Sequence, residues 1–118
     1  MRVLVIDDES VIRRLVTHAL KTIGVEVIGA ENAAQGLELA GENSLLLALV
    51  DVNLPDTDGF SLVTELKRLP NMQQTPLILF TARNHLGDED KAKEVGADGF
   101  FYKPFSTQEL RELVKKHI

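Results

Sequence analysis

Four short stretches of this 118-residue chain carry side chains suited to handling a charged group: Asp7-Asp8-Glu9, Asp51, Thr81-Ala82 and Lys103-Pro104. Three carboxylates gathered in one pocket, Asp7, Asp8 and Asp51, repel one another and take up protons unless a cation joins them. Hard oxygen donors with room for water suit Mg2+, and Mn2+ after it. A divalent cation, a carboxylate nucleophile and a lysine point charge are together the parts for phosphoryl transfer onto an aspartate. In such chemistry one carboxylate is the acceptor and the cation shields the incoming anion from it. Lys103 balances charge from the other side. Thr81 offers a hydroxyl to a phosphoryl oxygen, and Ala82 beside it leaves room. The protein contributes position and charge rather than bond-making groups.

Each stretch follows an apolar run of strand length. "RVLVI" (Arg2 to Ile6) precedes Asp7, "LLALV" precedes Asp51, "PLILF" precedes Thr81 and "GFFY" precedes Lys103. A further run, "VEVIG", lies second in the chain and ends in nothing comparable. Between these runs the apolar spacing turns helical. Val11, Ile12, Leu15, Val16, Ala19, Leu20 and Ile23 mark one face of a first helix, which Gly24 stops. Asn32 with Gln35 reads as a capping box opening a second helix through about Ala40. Asp58 caps a third, carrying Phe60, Leu62, Val63, Leu66 and Leu69 and ending before Pro70. A fourth, roughly Gly87 to Val95, has few large apolar anchors, a mark of low local stability. Ser106 and Glu109 open a fifth, with Leu110, Leu113, Val114 and Ile118 along one side.

Strict β-α alternation with near-continuous apolar strands predicts an α/β fold, a doubly wound parallel sheet covered by helices on both faces. Right-handed crossovers then bring the carboxyl ends of all strands to one edge, where ligands sit in such folds. Taken singly, each candidate has a plainer reading. Asp8 can cap the first helix with Asp7 solvated beside it, Thr81 can be a cap or turn residue, and Lys103 a surface lysine. Their joint position at strand ends favours the site. Asp56 and Asp58 are read as turn and cap residues around Pro55 and Gly59.

Bulk properties narrow the function classes. The length suits one domain, residues 1–118, with no second. There is no cysteine, so thiol redox chemistry and thiolate metal sites are excluded. The net charge of −5 argues against non-specific binding to nucleic acid or to an acidic membrane. Met1 to Ile6 is too short for a signal-peptide core, and the longest apolar run, Leu45 to Val50, cannot span a bilayer. A cytoplasmic protein is the expectation.

The ordered blocks "IDDES", "LVDVNLPDTDG", "FTAR" and "GADGFFYKPF" resemble the receiver domain of two-component response regulators, over essentially the whole chain. The resemblance implies a CheY-like, flavodoxin-like (βα)5 fold with strand order 2-1-3-4-5. It implies that Asp51 accepts a phosphoryl group from the phosphohistidine of a sensor histidine kinase or phosphotransfer protein, giving an aspartyl phosphate. It further implies that Asp7, Asp8 and Asp51 bind Mg2+ with the backbone carbonyl of Asn53. Thr81 and Lys103 would contact the phosphoryl group, Lys103-Pro104 would be a cis peptide, and Phe100 would be the switch aromatic. Because Phe100 lacks a hydroxyl, its coupling would run through packing alone. Asn53 and Arg83 stand where the family tunes the lifetime of the phosphate.

Such a domain is a switch rather than a turnover enzyme: it catalyses only its own phosphorylation and slow dephosphorylation. The surface of the fourth helix, fifth strand and fifth helix, with Phe101, Tyr102, Arg111 and Lys115, would change its affinity for an output partner, and a phosphorylation-dependent homodimer is left open. Gly99, where the family often has an acid or asparagine, should loosen the last strand slightly. Three rivals compete. A pseudo-receiver would be an interaction module only. An aspartyl-phosphate phosphohydrolase would need an acid-x-acid pair after the first strand, whereas Asp7 and Asp8 are contiguous. A flavodoxin-like nucleotide binder would need a neutral phosphate loop there. The sequence suits both a stand-alone regulator and a receiver within a longer protein.

Overall fold

The computed structural model describes residues 1–82 and 87–118. Five parallel strands, β1 (Arg2–Ile6), β2 (Glu26–Ala30), β3 (Leu47–Asp51), β4 (Leu77–Thr81) and β5 (Gly99–Tyr102), form one sheet in the order β2-β1-β3-β4-β5. They alternate with α1 (Ser10–Lys21), α2 (Ala33–Glu42), α3 (Gly59–Lys67), α4 (Asp88–Glu94) and α5 (Thr107–Lys115), and a 3-10 turn spans Pro70–Met72. Among the described residues no helix is long and apolar enough to cross a membrane.

The strands alternate their side chains between two cores. Leu4, Ile6, Ala48, Val50, Leu77 and Leu79 pack with α2, α3 and Ala92 of α4. Val3, Val5, Leu47, Leu49, Ile78 and Phe80 point the other way, onto Val16 and Leu20 of α1 and Leu110 and Val114 of α5. The two central strands β3 and β4 are buried along their whole length, which is why they read as unbroken apolar runs. One residue of the predicted α1 face falls outside it. Val11 is 69% exposed, because it sits in the first turn, before the helix has come down onto the sheet.

Local capping follows the sequence closely. Asp58 accepts the Ser61 N–H at 2.9 Å and opens α3. Ser106 and Glu109 form a reciprocal capping box at α5, with bonds of 3.0 and 3.1 Å. At α2, Asn32 takes the Gln35 N–H at 2.8 Å, but Gln35 answers to the N–H of Glu31, one residue before the cap. Gly99 has a packing reason. A Cβ there would stand 2.9 Å from Ile78 Cδ1, so the glycine leaves room for that side chain on the neighbouring strand.

Candidate functional site

Sheet register brings the polar residues level with one another. Ile6 pairs with Val50, so Asp7 and Asp51 come next on adjoining strands. Asp51 pairs with Phe80 and Thr81 with Tyr102, so Thr81 and Lys103 follow one step further along the same edge. The four strands thus deliver their candidates to one cleft. Carboxylate oxygens of Asp7, Asp8 and Asp51 all lie within 4.8 Å of one another.

Asp7 is fully buried and doubly engaged. Its Oδ1 accepts the Glu9 N–H at 2.9 Å, and its Oδ2 accepts Lys103 Nζ at 2.7 Å. Asp8 is exposed and does not cap α1; the N-cap position is Glu9, which makes no side-chain cap. That leaves the Asp8 carboxylate facing the cleft mouth with the other two. Asp51, at the tip of β3, accepts the Asn53 N–H at 3.2 Å and Lys103 Nζ at 3.5 Å. Burial, and next the charge of Asp7, push its carboxyl up to about 6, against the opposing pull of Lys103 and the Asn53 N–H.

Among the described residues, Lys103 is the cation that Asp7, Glu9 and Asp51 contact with their side chains. Its side chain is 8% exposed, lies 3.4 Å from Glu9 Oε1 and stands 4.9 Å from the centre of the Phe80 ring. Burial alone would lower its pKa, but the hydrogen bond to Asp7 and the charges of Asp51, Asp7 and Glu9 together raise it, so the ammonium keeps its proton. Its backbone N–H donates to the Thr81 carbonyl at 2.8 Å, and the Lys103-Pro104 peptide is cis. Thr81 is buried and Ala82 exposed at the rim.

The donor chemistry fits a small hard cation. Three carboxylates face one another, among the described residues with a single lysine to offset them, and one of the three is open to water. Asn53 is exposed, two residues beyond Asp51 in the β3–α3 loop. Gly59 lets that loop close. Its N–H donates to the Val52 carbonyl at 2.7 Å, and a Cβ would run into the Asp51 carbonyl oxygen and stand 2.8 Å from Val52 Cα.

Phe100 is half-buried on the edge strand β5, its ring edge-on to Tyr102 at 5.2 Å. Tyr102 in turn donates to Glu89 of α4 at 3.4 Å. Arg83 lies outside the described residues. Two acids have contacts that the sequence reading missed. Glu9 approaches Lys103, a contact that adjacency to Asp8 hinted at. Asp56 bonds to α2, and nothing local signalled it.

Comparison with known proteins places this geometry in context. The family model for the response regulator receiver domain matches residues 3–115. The chain is 32% identical to protein PilG of Pseudomonas aeruginosa, over all of this chain and 87% of that one. It is 37% identical to the transcriptional regulatory protein SrrA of Staphylococcus aureus, over 96% of this chain and 46% of that one, so it spans about half the length of that relative. The solved structure of chemotaxis protein CheY4 from Vibrio cholerae superposes with a TM-score of 0.92 at 29% identity, over 99% and 98% of the two chains. The receiver domain of sensor histidine kinase PA1611 from P. aeruginosa, solved with a magnesium ion coordinated in its active-site cleft, superposes with a TM-score of 0.87 at 25% identity, over 98% and 94%.

Proposed function

From the premise that the chain belongs to the response regulator receiver domain family of two-component systems, we propose that it is a switch thrown by phosphorylation of Asp51. The observation that carries this reading is the meeting of Asp7, Asp8 and Asp51 within 4.8 Å, with Lys103 Nζ 3.5 Å from Asp51 Oδ2. Asp7, Asp8 and Asp51, with the Asn53 backbone carbonyl, would hold Mg2+. When bound, that ion supplies the positive charge that keeps the acids ionised and offsets the incoming phosphoryl group. The magnesium in the PA1611 cleft supports the assignment.

The donor is the phosphohistidine of a sensor kinase or phosphotransfer protein. An ionised Asp51 Oδ forms a bond to phosphorus as the P–N bond breaks, and the departing imidazole keeps the electron pair and takes up a proton from solvent. Lys103 pairs with the new negative charge, and the Thr81 hydroxyl donates to a phosphoryl oxygen. Asn53 and Arg83 set how long the acyl phosphate survives. The domain turns over no other substrate.

The readout is the face of α4, β5 and α5. Within α4 the buried residues are Asp88 and Ala92, so the helix has little apolar anchorage to hold it in one place. The Phe100–Tyr102–Glu89 chain of contacts links β5 to that helix through packing and one hydrogen bond. An effector protein or attached domain reads the change, in the cytoplasm, without contact of this domain with nucleic acid or membrane.

Incubation with acetyl phosphate and Mg2+, followed by intact mass and site mapping, tests the reading. One acid-labile phosphate on Asp51 is expected, and none in Asp51→Asn. Labelling at another residue in that variant would overturn the assignment. Continuous hydrolysis of phosphate esters would favour a phosphohydrolase instead.

A further inference from the structure

Asp56 stands at the outer end of the β3–α3 loop, and its carboxylate reaches beyond that loop to α2. Its Oδ1 accepts the Ala33 N–H at 2.9 Å and its Oδ2 the Ala34 N–H at 3.0 Å, across 23 and 22 residues of chain. These are the first two N–H groups of α2, for which a helix has no internal partners. The next, from Gln35, already goes to Asn32. The first turn of α2 contains no acid of its own. Asp56 therefore also supplies the negative charge that the positive end of the helix favours. The hydrogen bond from Ala33 is the chief reason its carboxyl lies below the ordinary range.

The two segments tied together both run back to the acidic cleft. On one side α2 follows β2, whose last residue, Ala30, accepts the Asp7 N–H at 3.0 Å. On the other side the loop runs from Asp51 through Asn53 to Asp58. Its base is held by the Asn53 N–H on Asp51, by the Asn53–Asp58 bridge and by the Gly59 N–H on Val52. Leu54 packs against the core below. Asp56 is the anchor of the far end, and it reaches the helix that follows β2, the strand whose end holds the Asp7 N–H.

We propose that Asp56 is a positioning residue for the phosphorylation site: by pinning the β3–α3 loop to the N-terminus of α2, it sets where the Asn53 carbonyl stands relative to Asp7, Asp8 and Asp51, and so how tightly a divalent cation is held. The inference rests on the reading of those three acids as a cation site. An outer partner of this kind acts on affinity through a ligand's orientation, without touching the ion.

The test uses the full chain, with Mg2+ binding followed by titration calorimetry and Asp51 phosphorylation by acetyl phosphate followed against Mg2+ concentration. Asp56→Ala raises the Mg2+ concentration for half-saturation about tenfold. Its phosphorylation rate at saturating Mg2+ stays within about twofold of the wild type, a split that marks lost binding rather than lost chemistry. Asp56→Asn, which keeps one acceptor and loses the charge, falls between. Asn32→Ala strips the N-cap from the same helix without touching the loop; it lowers thermal stability yet leaves half-saturation where it is in the wild type. Equal half-saturation in Asp56→Ala and wild type overturns the proposal. So does equal weakening in Asn32→Ala, which would reduce the effect to helix stability. Wild-type protein that takes up neither Mg2+ nor phosphate overturns instead the site reading beneath it.

Discussion

The ammonium of Lys103 sits 2.7 Å from Asp7 Oδ2, closer than the 3.5 Å that separates it from Asp51 Oδ2. The lysine from the last strand thus answers first to the deepest acid of the cleft and only second to the proposed phosphoacceptor. Burial first, and the charge of Asp7 after it, hold the Asp51 carboxyl raised against the pull of that ammonium. A divalent cation and a phosphoryl group would each change who Lys103 answers to.

That raised pKa makes stability depend on pH when divalent ions are removed. Asp51 holds its proton up to about 6 in the folded chain, against an ordinary value of 3.8. Between those pH values the folded state binds more protons than the unfolded, so stability falls as pH rises through the window and stays low above it. The cost at neutral pH is about 1–3 kcal/mol. Asp51→Asn removes the titration. In EDTA its stability advantage over the wild type should therefore be absent near pH 4 and fully grown by pH 7, as read by urea denaturation. Parallel curves for the two proteins would contradict this.

Replacing the lysine tests the charge balance from the other side. Lys103→Met leaves buried acids without their cation, a loss of about 3 kcal/mol in EDTA. Added Mg2+ should restore more stability to the variant than to the wild type, since no ammonium competes with it. Phosphorylation of Asp51 should nevertheless slow, because the charge facing the incoming group is gone. A smaller Mg2+ response than that of the wild type would show that Lys103 does not share the cation's site.

Gly59 joins the loop to α3 at a place where backbone meets backbone. A methyl group at this position meets the Asp51 carbonyl oxygen and Val52 Cα, neither of which can swing aside as a flexible side chain would. Gly59→Ala is expected to destabilise by about 1–3 kcal/mol. It should also weaken Mg2+ binding, because the strain falls on the residue that carries the acceptor. Calorimetric Mg2+ titration of a variant that is still folded checks the second effect apart from the first.

Ser106→Ala supplies the contrast. It removes half of the capping box of α5 and should cost about 1 kcal/mol in thermal unfolding. Ser106 makes no contact with the acidic cleft in its capping bonds, so Mg2+ half-saturation and the extent of Asp51 labelling should match the wild type.

Much of this protein could be read from the chain alone, and the reason is that the information was local. Apolar runs ending in Asp7, Asp51, Thr81 and Lys103 marked the strands and the edge at which they finish. Asp58 and Ser106 marked helix starts, and each bonds within three residues of itself. Resemblance, rather than periodicity, supplied the strand order. What the folded structure decided is which distant groups meet. Whether Val11 is covered depends on where α1 first touches the sheet, not on its place in a helical pattern. Lys103 chooses Asp7 across 96 residues, and Asp56 reaches beyond its own turn to a helix 22 residues behind it. Spacing brought Lys103 and Asp7 to one edge but not which acid the lysine takes, and it did not mark Asp56 at all, because a hydrogen bond between remote segments is set by how the sheet stacks them and by which buried N–H or charge would otherwise stand alone.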